Sequence, residues 1–480
     1  MSSNPQGPAD HERPFTSSRL GRPERRPNLI FILADDLGWM DLGCFGSPHI
    51  RTPVLDRMAA DGVRFTHAYA GSCWCSATRF SLYTGRHPGR LLAGLEEPLR
   101  TRDEKSGIPH NQPTLASMLV DGGYETAMFG KWHCGWLPWY SPMKAGFQTF
   151  YGNLDGAVDY FEHIGTLGEP DLYEGDTPIE ETGYYTHLIS DHAADWISRR
   201  GDDPFYLQIN YTAPHWPWEG PGDAEEGRRI RQQYEDGEVP LPLLHTDSGS
   251  LAKYAELVEN LDEGIGRVLD ALDTAGRVED TLIVFCSDNG GERWSMNWPF
   301  VGEKGDLAEG GIRVPFVMRW PRAVAGGQVS DAPNGTMDWT ATFLDAAGVT
   351  PDPAYPLDGV SLLPWLVDGA DYPEHDLYWR VASQGAVRRG RWKYLYDGRP
   401  RARLGNWPPS PGPFDLLYDV TVDGREAANL ARRHPEVVAD LRKAYEAYDA
   451  ALLPYPPDHP NLPREARHAG PGKPAVSQPD

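Results

Sequence analysis

The sequence predicts an α/β protein in which a large mixed, mostly parallel sheet is sandwiched by helices and a smaller α+β subdomain follows. Short continuous apolar runs recur along the chain, which is typical of parallel strands buried on both faces. Helical patterns separate these runs, as expected of a doubly wound sheet. Towards the C-terminus the strand-like segments become shorter, and they predict a small antiparallel sheet covered by a helix.

The length and composition are sufficient for one large core and a smaller one, since 40% of the 480 residues are hydrophobic and 16 are tryptophan. Residues 220–249 are charged and contain prolines, so we expect a surface excursion there. A Pro/Arg-rich loop at residues 398–413 is expected to interrupt the small sheet. We divide the chain into a polar N-terminal extension (1–26), a main α/β domain (27–375), a C-terminal subdomain (376–453) and a Pro-rich tail (454–480).

Three helices are predicted from residue spacing and end signals. Between residues 251 and 272, apolar residues recur every three or four positions, which indicates one buried face of a long helix. Residues 114–120 show a second helical pattern, and the Gly122-Gly123 pair marks its C-terminal end. Residues 435–451 form a third helix, which we expect to pack on the small sheet.

Two apolar runs end directly before pairs of oxygen-bearing side chains. The first run precedes Asp35 and Asp36, and a later run precedes Asp288 and Asn289. Ligands bind outside the carboxyl ends of such strands, so we expect the four side chains to meet. Three carboxylates in one place need a cation, and an irregular set of oxygen ligands suits calcium better than magnesium. The alternative is that each pair merely caps a helix or turn.

Cationic side chains follow the other predicted strands. Lys131 and His133 come after one apolar run, His215 after another, and Lys304 lies shortly beyond the second oxygen-bearing pair. Taken singly, each is simply a surface cation or a core histidine. Together at one sheet edge they would provide charge neutralisation and proton transfer, for which the near-neutral pKa of histidine is suited.

Residues 75–86 read Cys-Ser-Ala-Thr-Arg-Phe-Ser-Leu-Tyr-Thr-Gly-Arg, which resembles the signature of the type I, formylglycine-dependent sulfatases. These enzymes belong to the alkaline phosphatase superfamily, and the resemblance covers about residues 27–450. Within this family, the overall sequence pattern resembles the arylsulfatase and N-acetylgalactosamine-6-sulfatase branch. Ala77 departs from the proline that most members have. For Cys75 alone, the simplest interpretation is a small buried hydrophobe.

The resemblance implies an alkaline phosphatase-like fold and a sulfuric ester hydrolase that splits an aryl or carbohydrate sulfate monoester into alcohol and inorganic sulfate. Cys75 would be converted to formylglycine (3-oxoalanine) by a maturation enzyme, and its hydrate would supply the nucleophilic oxygen. Arg79 would hold this group. The implied catalytic residues are Cys75, Arg79, Lys131, His133, His215 and Lys304, and the implied ligands of one Ca²⁺ are Asp35, Asp36, Cys75, Asp288 and Asn289.

The resemblance also implies individual roles for the cations. Lys131 and Lys304 would neutralise the sulfate oxygens. His133 would take the proton from the second hydroxyl of the hydrate. His215, with Lys304, would stabilise or protonate the departing alkoxide. Two alternatives remain open: a phosphonate or phosphate ester hydrolase on the same fold, and an unmatured, non-catalytic binding protein that keeps the Cys75 thiol.

Aromatic residues near these segments are candidates for contacts with the substrate. An indole could stack on a sugar or aryl ring, and a histidine could add a polar contact. The alternative for each is ordinary core packing. The candidates are Trp74, Trp132, Trp216 and His163.

The net charge of −24 excludes nucleic acid and anionic membrane surfaces as expected partners, and it favours a small, singly sulfated substrate. Simple solubility is the alternative explanation of this charge. We expect no membrane span, because no apolar run is long enough. Five cysteines give no even disulfide framework, and no apolar leader precedes the first strand, so a cytoplasmic protein is expected. The sequence does not predict the oligomeric state.

Overall fold

The computed structural model describes residues 13–17, 21–238, 249–382, 384–396 and 415–456. Within these residues, eleven strands form one large mixed sheet in the order β1-β12-β3-β11-β10-β2-β9-β5-β6-β7-β8. Its strands are β1 (Arg13–Pro14), β2 (Asn28–Ala34), β3 (Val63–Phe65), β5 (Glu125–Gly130), β6 (Thr149–Gly152), β7 (Tyr173–Glu174), β8 (Thr177–Pro178), β9 (Phe205–Asn210), β10 (Thr281–Ser287), β11 (Phe316–Arg319) and β12 (Gln328–Ser330).

Six other short strands are described. A two-stranded sheet pairs β4 (Ala68–Tyr69) with β13 (Asn334–Gly335). The C-terminal sheet is antiparallel and has the order β14-β15-β16-β17, with β14 at Leu377–Val381, β15 at Gln384–Arg389, β16 at Trp392–Tyr396 and β17 at Leu416–Asp419.

The helices cover both faces of the large sheet and one face of the small one. Their bounds are α1 (Pro53–Ala60), α2 (Cys75–Thr84), α3 (Leu115–Asp121), α4 (Tyr185–Ser198), α5 (Ala224–Glu235), α6 (Leu251–Thr274), α7 (Glu309–Ile312), α8 (Thr336–Ala347), α9 (Leu363–Val367) and α10 (Pro435–Asp449). Short 3₁₀ helices lie at Gly43–Phe45, Pro88–Arg90, Ala93–Leu95 and Met143–Ala145.

Strands β2, β5, β9 and β10 lie side by side and run parallel at the centre of the sheet. In their register, Ala34 is opposite Ser287, Leu33 is opposite Asn210, and Asn210 is opposite Gly130. The four strands therefore end at one level. All residues of β2, β9 and β10 are buried, as expected for strands covered on both faces.

Two hydrophobic cores lie on opposite faces of this sheet. One contains side chains from α2, α3 and α8, and the other contains side chains from α1, α4 and α6. The long helix α6 begins where Ser250 accepts a hydrogen bond from the Lys253 N–H at 3.1 Å. Its buried residues include Leu257, Leu261 and Ile265, which recur at the predicted helical spacing.

The C-terminal subdomain packs against the main domain through a buried ionic network. Lys393 on β16 lies 2.9 Å from both Glu309 and Glu426, and all three side chains are buried. Glu309 also contacts Arg313 at 3.1 Å and accepts a hydrogen bond from Tyr69 at 2.9 Å. The small sheet and the main sheet are thereby joined at this point.

The predicted fold class is confirmed. None of the described helices is long and apolar enough to cross a membrane. All five cysteines are separate thiols.

Some of the predicted segments lie within the described residues and others do not. The extension at 1–26 contributes the edge strand β1, which pairs with β12, and the expected excursion at 220–249 contains α5. Residues 239–248 of that excursion and the expected loop at 398–413 lie outside the described residues. The start of the tail packs against the main domain, since the Tyr455 hydroxyl donates to Glu97 at 2.8 Å. The residues of the tail from 457 onward are not described.

Candidate active site

Cys75 is the first residue of helix α2, at the carboxyl edge of the central strands. Trp74 precedes it with extended backbone, and Gly85 ends the helix with a φ of 64°, which is a left-handed conformation that favours glycine. Cys75 is buried, and its Sγ lies 3.4 Å from Nδ1 of His133. Burial raises the pKa of this thiol to about 11, although Lys131 and Lys304 oppose the shift.

Arg79 lies one turn further along α2 and is completely buried. Its Nη2 donates to Asp288 at 2.9 Å and to Asp35 at 3.1 Å, and its Nη1 donates to the Lys131 carbonyl at 3.0 Å. Such a network of charge-assisted hydrogen bonds makes this guanidinium a rigid link between the ends of β2, β5 and β10.

The carboxylates after β2 and β10 converge, as the strand register requires. Asp36 has a φ of 64°, and its backbone N–H donates to Asp288 Oδ1 at 3.2 Å. Its Oδ1 accepts from Asn289 at 2.6 Å, while its Oδ2 accepts from Lys304 at 2.6 Å. The Lys131 ammonium pairs with Asp35.

This group of side chains fits a hard cation. Asp35, Cys75 and Asp288 each offer a ligand atom within 4.8 Å of the others, and Asp35, Asp36 and His215 do the same. Among the described residues, Asp35 Oδ1 and Asn289 Oδ1 are buried oxygens without a hydrogen-bond partner. Unpaired buried oxygens are costly unless something binds them, and an oxygen donor set of this kind suits Ca²⁺.

The electrostatics of the three aspartates differ, although each is fully buried. Burial alone would raise the pKa of Asp35, but Lys131, His215 and Arg79 hold it well below its usual range. Burial, together with the neighbouring Asp35, raises the pKa of Asp288 to about 6. The pKa of Asp36 is raised well above its usual value by burial and nearby carboxylates, against the opposing effect of Lys304.

The two histidines each present a defined ring nitrogen to the site. Nε2 of His133 lies 2.9 Å from the Leu99 carbonyl, which can only accept, so this nitrogen carries the proton and Nδ1 faces Cys75. Nδ1 of His215 lies 2.6 Å from the Trp216 carbonyl, and its Nε2 lies 3.5 Å from Asp36 Oδ2. Burial and nearby lysines lower the pKa of both imidazoles well below the usual value.

Comparisons with known proteins agree with this geometry. The family model described as Sulfatase matches residues 27–349. Arylsulfatase J of Mus musculus is 30% identical, over 91% of this chain and 78% of that protein. N-acetylgalactosamine-6-sulfatase of Homo sapiens is 31% identical, over 76% of this chain and 71% of that protein. This chain belongs to the sulfatase family.

A solved structure extends the likeness to three dimensions. The crystal structure of Ps i-CgsB superposes with a TM-score of 0.76 at 28% identity, covering 88% of this sulfatase and 93% of that chain. The same protein has been solved in complex with k-i-k-neocarrahexaose. The predicted family, its alkaline phosphatase-like fold and the hydrolysis of a sulfate ester are therefore confirmed.

The structure brings together every residue that the sequence implied for catalysis and metal binding. Their contacts form one connected set at the carboxyl ends of the central strands, although the role of each residue stays a prediction. The set is Asp35, Asp36, Cys75, Arg79, Lys131, His133, His215, Asp288, Asn289 and Lys304.

The four residues predicted to contact substrate have different surroundings. Trp132 is completely buried and stacks on Tyr83 with ring centroids 5.1 Å apart, so it packs in the core, and its contact with a substrate stays a prediction. His163 is buried against Tyr185. Trp74 and Trp216 are half-buried beside Cys75 and His215 in the chain.

Sequence reasoning missed the residues that position the site from outside. The Tyr160 hydroxyl donates to the His215 carbonyl at 2.9 Å, and Nδ2 of Asn210 donates to the Lys131 carbonyl at 2.8 Å. The Asn210 position was recognisable, because a polar residue ends a mostly apolar strand. Nothing in the sequence distinguishes Tyr160 from the other aromatic residues.

Proposed function

We propose that this sulfatase acts through Cys75 converted to formylglycine and through one bound Ca²⁺, and that its substrate is a small aryl or carbohydrate sulfate monoester. The observation that carries the proposal is the meeting of Cys75 Sγ, His133 Nδ1 and the oxygens of Asp35 and Asp288 in one buried site. A thiol packed only as a core residue would not need charged groups on two sides.

Hydrated formylglycine would supply one hydroxyl for attack on sulfur and a second whose deprotonation releases sulfate. Calcium, held by Asp35, Asp36, Asp288 and Asn289 together with residue 75, would supply positive charge beside these oxygens. Attack on an anionic ester is favoured when fixed cations offset the charge that develops.

The protein residues would provide the proton transfers and the binding of the sulfate. His133 is oriented to accept a proton at Nδ1, because its Nε2–H is committed to the Leu99 carbonyl. His215 would stabilise the leaving-group oxygen from Nε2, since its Nδ1–H is committed to the Trp216 carbonyl, and any proton that it passes to that oxygen must first bind at Nε2. Both assignments follow from the hydrogen bonds of the opposite ring nitrogen.

The cations have separate positions that support separate roles. Lys131 contacts Asp35, and Lys304 contacts Asp36. A sulfate bound beside these carboxylates would be neutralised by both ammonium groups. Arg79 is fully committed to protein partners, so its role is to hold the residue 75 helix and the carboxylates in place.

Two further predictions remain proposals that the comparisons do not test. A maturation enzyme would act on the motif despite Ala77. A cytoplasmic location is supported by the five separate thiols, because a protein in a reducing compartment folds without disulfides.

The decisive experiment is the mass of the tryptic peptide 65–79, measured in parallel with hydrolysis of 4-nitrocatechol sulfate. We expect aldehyde or its hydrate in place of the Cys75 thiol, and activity in proportion to that fraction. Cys75→Ala should abolish turnover, whereas Cys44→Ala, a half-buried cysteine outside the site, should not. Full activity from protein with an unmodified thiol would refute the formylglycine proposal.

Calcium and substrate class need separate measurements. Elemental analysis should find about one Ca²⁺ per chain, and Asp288→Ala should lose metal and activity together. Rates on an aryl sulfate, a phosphate monoester and a phosphonate monoester should rank the sulfate first. A phosphoryl rate well above the sulfate rate would favour the alternative hydrolase and contradict this proposal.

A further inference from the structure

A small cavity lies next to Lys304, and none of its lining residues has been described above. It is formed by the loop between Asn289 and Lys304, and its volume is about 240 Å³. We name it the Trp298 cavity; its lining residues are Gly291, Glu292, Arg293, Ser295, Asn297, Trp298, Phe300, Gly302 and Glu303.

We propose that the Trp298 cavity is a saccharide subsite, which binds the sugar ring that carries the scissile sulfate. This inference rests on the proposed function, because it names the class of leaving group for that site.

The cavity borders Lys304, which together with His215 would stabilise the departing alkoxide. Glu292, one of its lining residues, lies 3.8 Å from the Lys304 ammonium, and Lys304 contacts Asp36 at 2.6 Å. The Glu292 carboxylate also acts electrostatically on His215, the residue proposed to stabilise the leaving-group oxygen. A ring attached to that leaving group would therefore lie next to this loop.

The lining combines an aromatic face with hydrogen-bonding groups. The Trp298 indole is 55% exposed, and the Arg425 guanidinium lies 4.7 Å from its centroid. The side chains of Glu292 and Ser295 are within the same cavity, and in the described part of the chain the Ser295 hydroxyl has no hydrogen-bond partner. A sugar has a C–H face for the indole and hydroxyls for these groups.

A plain aryl ring fits this lining less well, since it would desolvate the polar groups without pairing them. The volume is also below the roughly 300–1,000 Å³ of drug-sized sites, so the cavity suits one ring rather than a long chain. A second sulfate placed near Glu292 would be repelled. These points favour a single, sparsely charged sugar ring.

The loop is held in place before any ligand binds. Nδ2 of Asn297 donates to the carbonyls of Gly291 at 2.8 Å and of Gly302 at 3.3 Å, which joins the two ends of the loop. The Met296 N–H donates to Asp41 at 3.0 Å. A preformed cavity of this kind loses little entropy on binding.

Two measurements test the subsite. The first is the ratio of kcat/KM for N-acetylgalactosamine 6-sulfate and galactose 6-sulfate to that for 4-nitrocatechol sulfate. In Trp298→Ala we expect this ratio to fall about ten-fold, as lost ring stacking implies, chiefly through KM. Trp298→Phe should restore most of it, and Trp139→Ala, another exposed tryptophan, should leave it unchanged.

The second measurement is calorimetric binding of the same sugar sulfates to Cys75→Ala protein, with and without Trp298→Ala. Binding that weakens about ten-fold supports the subsite even if turnover fails, in which case the proposed function alone is wrong. A ratio and an affinity that do not depend on Trp298 would overturn the subsite. Cleavage of aryl sulfate without cleavage or binding of either sugar sulfate would overturn the saccharide class.

Discussion

His87 offers a quantitative test of how burial controls stability next to the nucleophile helix. It directly follows the Gly-Arg that ends the sequence motif, and it is 2% exposed. Its Nδ1 accepts a hydrogen bond from the Gly89 N–H at 3.0 Å, so the folded protein needs the neutral ring. Burial and the nearby Arg380 and Arg90 lower its pKa to about 3, against the opposing effect of Asp358.

The sign and size of the effect follow from this lowered pKa. In the unfolded chain a histidine has a pKa of about 6.5, so below that pH the unfolded state binds a proton that the folded state rejects. Stability is therefore full above pH 6.5 and is lost as the pH falls from 6.5 towards 3. At pH 5, which is about 1.5 pKa units below the unfolded value, the loss is about 2 kcal/mol.

The perturbation is His87→Asn, which keeps an acceptor for the Gly89 N–H but does not titrate. Urea unfolding of both proteins at pH 7 and pH 5 should show the wild type losing about 2 kcal/mol more than the variant. The comparison isolates His87 because the two chains share all other titratable groups. His110→Asn, at an exposed position, controls for removal of an imidazole. A stability difference between wild type and variant that is the same at both pH values would refute the reasoning.

Two further predictions concern positioning and domain docking. Tyr160→Phe removes the hydrogen bond to the His215 carbonyl, so rates on alkyl sulfates should fall about five-fold. Rates on aryl sulfates with good leaving groups should change little. Equal losses on both substrate classes, measured by steady-state kinetics, would contradict this positioning role. Lys393→Met leaves Glu426 as a buried carboxylate without its cation, while Glu309 keeps Arg313, and should lower the free energy of unfolding by about 3–5 kcal/mol. Adding Glu426→Gln should restore most of that loss in urea titrations, and a double variant as unstable as Lys393→Met would show that the charge of Glu426 is not the cause.

Much of the site was predictable because its residues directly follow recognisable strands. Asp35, Asp288 and Lys131 each come within a few residues of an apolar run, and parallel strands end at one edge. Trp132 shows the limit of such reasoning: it lies between two site residues but packs in the core against Tyr83. Position in the sequence identified the segment but not the direction of each side chain.

The chain by itself determined the family, the α/β class and the set of chemical groups at the site, because these depend on local patterns and on a motif of contiguous residues. Only the tertiary structure decided which groups meet and what surrounds them. The pairing of Tyr160 with His215 and the pairing of Lys304 with Asp36 arise from segments that are far apart along the chain. Such contacts depend on packing across the whole sheet and leave no local pattern in the sequence.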